Sequence, residues 1–267
     1  MSSFISNVLQ DVASKHKKWE NITFILPSQR ACVFLKQEVL KIITKASFLP
    51  RIISVEEYIQ EIADIQLVDN TQLLFEFYSI YKENTSKENW ESFDVFAQWA
   101  TIALHDFNEV DSFLVNAKDF FTTLKDIKQL DNWFQNKSPS NLAVQYLKFF
   151  ESLYTYYEAL YNRLLNHKFG YQGLIYREAI NNLEYFIQNN SQNEFIFVGF
   201  NALNKAEEYI FQELLNNKIA KVYWDVNESI LNPDNEVGMF LRKYKNEWSY
   251  YKSNPFLGMS SHFNANR

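Results

Sequence analysis

Apolar and polar residues follow two rhythms along this chain. The first is a compact run. Residues 22–26, Ile-Thr-Phe-Ile-Leu, are β-formers without a polar break other than Thr23, which suits a strand buried on both faces. Residues 194–200 (Glu-Phe-Ile-Phe-Val-Gly-Phe) and 221–226 (Lys-Val-Tyr-Trp-Asp-Val) have the same character, and a shorter strand is expected at 50–53. The second rhythm has a helical period. Phe4, Val8, Val12 and Ala13 place a helix over 3–18. Pro27 helps to end the first strand, and Ser28 is the expected N-cap of a helix over 30–44. Ser54 caps another helix over 55–64.

From there to residue 188 the pattern is helical throughout. Helices are expected at 70–84, at 93–114 with a break near 106–108, and at 117–134. Leu142, Tyr146, Phe149, Leu153, Tyr157, Leu160 and Leu164 give a long helix over 142–165, with a second apolar stripe beside the first, so it packs on more than one side. Further helices are expected at 171–188 and 204–217. Strand and helix alternate at both chain ends, with a helical block between them. The expected fold class is therefore α/β, with a parallel sheet built from residues 1–54 and 190–253, an all-helical insertion at 55–189, and a flexible tail at 254–267.

Composition narrows the picture. Among 267 residues, 47% are hydrophobic and 17% aromatic, enough for a sizeable core and too apolar for disorder. Five glycines and five prolines agree with a mainly helical chain. The net charge of −6 disfavours a free-standing, non-specific DNA binder but leaves room for a local basic contact. The single Cys32 allows no internal disulfide and no cysteine-rich zinc site. No stretch reaches the roughly 18 apolar residues of a membrane span, and the first residues have no secretory pattern, so a cytoplasmic, membrane-free protein is expected.

Strand, turn and helix at 22–44 is the arrangement in which nucleotide-binding α/β domains hold phosphate. A phosphate loop needs Gly-x-x-x-x-Gly-Lys-(Ser/Thr), yet none of Gly170, Gly173, Gly199, Gly238 and Gly258 precedes a lysine. The run Val198-Gly199-Phe200-Asn201 carries no carboxylate to hold magnesium at a strand end. No cofactor, metal or catalytic residue is expected on this reading.

Four stretches nevertheless resemble one family in order, ITFILPSQRACVFLKQEV, LPRIISVEEYI, DFNEVDSFLVNAKDFFTTLKDI and FIFVGFNALNKAEEYIFQELL, and KVYWDVNESILNPDNEVGMFLRKY looks like their continuation. They resemble the N-terminal region of AddB-like proteins, the helicase-like nuclease subunits of the AddAB/RecBCD class, in the variety that has lost the phosphate loop. The resemblance implies a P-loop-helicase-like parallel sheet lacking the loop, with the helical block as an inserted subdomain. It implies a non-catalytic DNA-binding or scaffolding domain in double-strand-break repair. It also implies single-stranded or duplex DNA ends as ligand, an AddA-like ATP-driven helicase subunit as partner, and a C-terminal PD-(D/E)XK exonuclease domain in the full-length parent. Pro233-Asp234 is not followed by the (Asp/Glu)-x-Lys of such a nuclease. LPSQR resembles the helicase motif that leans on single-stranded DNA, which marks Ser28, Gln29 and Arg30 as candidate DNA-binding residues. An α/β protein-interaction domain without a DNA role, or an unorthodox nucleotide-binding protein, are the alternatives.

The candidates each have a plainer reading. Ser28, Gln29 and Arg30 form an ordinary helix cap as readily as a phosphate site. Lys15, His16, Lys17 and Lys18 make a basic cluster, and cations are also well placed at a helix C-terminus. His105 and Glu109, four apart, with Asp106 and Asp111 near, have the spacing of a helical ligand pair, but no further His or Cys motif joins them. Tyr156-Tyr157 and Tyr250-Tyr251 offer rings for base stacking, although core packing is the commoner role. Cys32, beside Val33, reads as a buried thiol.

Overall fold

The computed structural model describes residues 3–16, 18–42, 49–134, 141–226 and 228–257. The chain forms two compact units, one of Met1–Ile62 with Ile180–Arg267 and one of Ala63–Ala179.

The first unit opens with α1 (Phe4–Lys15), whose cap Ser3 accepts from the Ser6 amide, and β1 (Ile22–Leu26), buried at every residue. Helix α2 (Gln29–Ile42) leads to β2 (Arg51–Ser54), and α3 (Val55–Ala63) follows at once. That abrupt change is built into Ser54. Its amide donates to Glu57 Oε2 at 3.0 Å and its Oγ accepts from the Glu57 amide at 3.3 Å, a reciprocal cap.

The second unit holds β3 (Gln66–Leu67), α4 (Asn70–Asn84), α5 (Phe93–Ser112), α6 (Ala117–Phe134), α7 (Asn141–Asn166), β4 (Phe169–Gly170) and the first half of α8 (Gln172–Asn189). Two sequence expectations are corrected here. Helix α5 runs without the break expected near 106–108, because Phe107 and Val110 continue the buried stripe of Phe96, Ala100 and Ala103 while His105 and Asp106 face solvent. The block is also not wholly helical, since β3 and β4 pair in parallel. Phe77 centres the aromatic core, with Phe96 and Phe107 rings at 5.2 and 5.7 Å. Among these rings lies a fully buried charge. Asp111 accepts from Tyr157 and Tyr171 hydroxyls at 2.6 and 2.5 Å and from Arg177 Nε at 2.6 Å.

Back in the first unit come β5 (Glu194–Val198), α9 (Lys205–Asn216), β6 (Ala220–Tyr223), α10 (Glu228–Leu231) and α11 (Met239–Glu247). The sheet has the order β2-β1-β5-β6 and every pair is parallel. Alternate residues serve opposite faces. Ile22, Phe24, Leu26, Ile196 and Val198 pack with Val8 and Val12 of α1 and Cys32, Leu35 and Val39 of α2. Phe195 and Phe197 both face Tyr58 of α3, with Phe186 of α8 against Phe195 and Phe211 of α9 against Phe197. Burial on both faces is why these strands read as continuous apolar runs. The mixed α/β class is thus present, with a four-stranded parallel sheet. Beyond β6, Phe256 stacks on Trp224 with centroids 5.5 Å apart, so the start of the expected tail is packed, and residues 258–267 lie outside the described ones.

Among the described residues, no helix is long and apolar enough to cross a membrane.

Candidate functional site

The order β2-β1-β5-β6 has a point of reversal. From β1 the chain moves through α2 to β2 on one side, and from β5 through α9 to β6 on the other. The two helices cover opposite faces, α2 beside α1 and α9 beside α3. The loops leaving β1 and β5 therefore diverge, and the crevice in which open α/β sheets bind their ligands is expected between them, outside the carboxyl ends of the strands.

One wall is Pro27-Ser28-Gln29-Arg30, exposed at every residue. Ser28 Oγ accepts from the Ala31 amide at 3.3 Å, so the expected cap is formed. It leaves the Gln29 and Arg30 amides without a partner among the described residues. Gln29 Nε2 donates to Ser54 Oγ at 3.1 Å, a contact made possible because Leu26 and Ser54 are paired at the ends of β1 and β2. Hydrogen bonding from the Ser54 amide, helped by Gln29, holds the Glu57 carboxyl below its ordinary range. Arg30 carries its guanidinium 5.9 Å from the exposed Phe34 ring, and among the described residues no carboxylate pairs with it.

The other wall is the loop after β5. Gly199 has φ +77°, a left-handed conformation that a side chain would strain. It turns the chain so that Phe200 is buried while Asn201 and Ala202 are exposed. Asn204 then closes a capping box with Glu207, which gives the Asn204 and Glu207 amides their acceptors. Each terminus leaves its first two helical amides, Gln29 and Arg30 of α2 and Lys205 and Ala206 of α9, without a partner among the described residues, and each starts with an exposed cation, Arg30 and Lys205. No carboxylate stands at the end of β5.

The remaining candidates do not join this crevice. Lys15 is tied to Asp11 at 2.6 Å, His16 Nε2 lies 3.2 Å from Glu194, and Lys17 is outside the described residues. His105 is exposed beside Asp106 while Asp111 is buried on Arg177, so the four residues at 105–111 do not converge. Among the described residues, no group of three or more His, Cys, Asp or Glu side chains gathers as a metal site would require. Tyr156 and Tyr157 are core residues, bonded to Thr85 and Asp111. Tyr251 takes the Trp224 indole N–H at 3.0 Å. Cys32 is buried, and burial pushes its thiol up. Sequence reasoning missed Glu57, although Ser54-x-x-Glu57 is a capping-box signature that would have found it.

No family model matches the sequence, and a search of curated proteins finds no match.

Proposed function

We propose that the α/β unit is a helicase-like DNA-binding domain without ATPase activity, of the AddB-like kind, in a cytoplasmic double-strand-break repair complex. The observation that carries this reading is the α2 terminus at the strand-order reversal: two amides and an Arg30 side chain without partners among the described residues, suited to a DNA backbone phosphate. The absent phosphate loop and the carboxylate-free end of β5 support a role in holding DNA rather than in hydrolysis. On this reading an AddA-like helicase subunit supplies the motor, the helical unit is the inserted subdomain, and the full-length parent carries the PD-(D/E)XK exonuclease.

A protein-interaction domain is the second reading. It is favoured by Glu57, whose lowered carboxyl pKa keeps a negative charge beside Gln29, and by exposed Val33, Phe34 and Leu40 on α2.

Fluorescence anisotropy with a forked DNA separates the two. The DNA reading expects binding that weakens as salt rises, and Arg30→Ala to lower affinity roughly tenfold and to reduce the salt slope by about one contact. Binding unchanged by Arg30→Ala, or none at low salt, would leave the interaction reading.

A further inference from the structure

Strand β6 forms one edge of the sheet. Phe195 N–H donates to the Ile219 carbonyl at 2.8 Å and Gly199 N–H to the Tyr223 carbonyl at 3.2 Å. Residues 219, 221 and 223 therefore turn their backbone groups toward β5, and Ala220, Val222 and Trp224 turn theirs outward. The last of these is already engaged, since Trp224 N–H donates to the Leu257 carbonyl at 3.0 Å. Among the described residues, no backbone group pairs with Ala220 or Val222 on the outer side.

A cavity of about 300 Å³ lies along this row, between Leu215, Val222, Tyr250, Tyr251, Pro255 and Leu257. Two cations line it as well, but both are neutralised. Lys15 sits 2.6 Å from Asp11, and Lys221 sits 2.5 Å from Glu194. The cavity therefore makes no demand for a charged ligand, and its walls favour an apolar side chain.

We propose that the outer edge of β6 is a strand-addition site. An extended segment of a partner protein, uncharged and apolar at alternate positions, pairs with Ala220 and Val222 and seats one side chain in the cavity. The backbone groups select this occupant. A row of outward donors and acceptors that repeats every second residue, roughly 6.6 Å, is matched by another extended backbone. Leu257 demonstrates the bond at the far end of the row, and the incoming segment continues it. The site is independent of the DNA reading, because it lies along the sheet edge and uses none of residues 27–30.

The test uses the full chain and a neutral probe, the blocked pentapeptide acetyl-Thr-Val-Thr-Val-Thr-amide. Backbone pairing is largely independent of side-chain sequence, so this probe binds if the site exists. Titration followed by amide NMR should shift the Ala220 and Val222 signals to saturation at millimolar peptide. An analogue N-methylated at its alternate amides should bind roughly tenfold more weakly. Val222→Pro, which removes an outward N–H, should have the same effect. If that variant unfolds, the N-methyl comparison decides by itself. Equal binding of the two peptides, or no change at those amides at millimolar peptide, would overturn the proposal. So would a dimer of the chain that protects the Val222 amide without peptide.

Discussion

Asp111→Ala should unfold the helical unit under conditions where the native chain stays folded. Asp111 is completely buried and gathers three donors, the hydroxyls of Tyr157 and Tyr171 and Arg177 Nε. Removing one partner of a buried ion pair costs about 3–5 kcal/mol, because the other charge is left without its counterion. Two features shift the value within that range. The Arg177 side chain is 22% exposed and keeps bonds to the Val110 and Val115 carbonyls, at 3.0 and 2.7 Å, so it is not fully stranded. Tyr171 has no such outlet, and an unsatisfied buried hydroxyl costs about 1–3 kcal/mol. The expected loss is about 4 kcal/mol, a large share of the ~5–15 kcal/mol that holds a typical protein folded. Tyr157→Phe removes a donor but leaves the carboxylate two others, and should cost only about 1 kcal/mol. Urea unfolding with hydrogen exchange read on peptides of α5 and α7 isolates the helical unit from the sheet unit. A loss below about 1 kcal/mol for Asp111→Ala would refute the reasoning, since it would mean that the pair is solvated in solution.

Three further outcomes can be checked in the same way. Gly173→Ala should destabilise the helical unit by about 2–3 kcal/mol in the same exchange assay, because an added Cβ would stand 2.3 Å from the Asn108 carbonyl oxygen. Tyr58→Phe should raise the melting temperature and add about 1 kcal/mol, since the Tyr58 hydroxyl, buried beside Phe186, Phe195 and Phe197, has no partner among the described residues; a clear loss would point to an acceptor at that hydroxyl. Glu57 has a folded-state pKa below its unfolded value, so its contribution is present above about pH 4.3 and is lost as pH falls through the folded value. Acid titration between about pH 5 and pH 3 should therefore destabilise the native chain more than Glu57→Gln, and parallel curves would contradict the cap.

Which features the sequence reveals follows from how local their causes are. Strands β1 and β5 announce themselves because burial on both faces leaves no polar alternation. Ser54 announces α3 because its cap lies within one turn. The polar residues His105, Asp106 and Asn108 do not break α5, because the core enforces the helical period of Phe107 and Val110. Strands β3 and β4 have two residues each and depend on a partner about a hundred positions away, so nothing local marks them. Helix α11 could have been found, since Leu241, Tyr244 and Trp248 are buried at helical spacing. The site divides similarly. Ser28, Gln29 and Arg30 are legible as the turn after a strand. The grip of Ser54 on Gln29, and the reversal between β1 and β5, depend on strand order.

The central claim is that the α/β unit holds DNA at the carboxyl end of β1 without using nucleotide. Hydrogen exchange of the chain with and without forked DNA, and separately with ATP and magnesium, tests it most directly. DNA should slow exchange in peptides covering residues 27–34 and 199–204, and ATP should change neither. Protection by ATP at those peptides, or DNA protection confined to other segments, would contradict it.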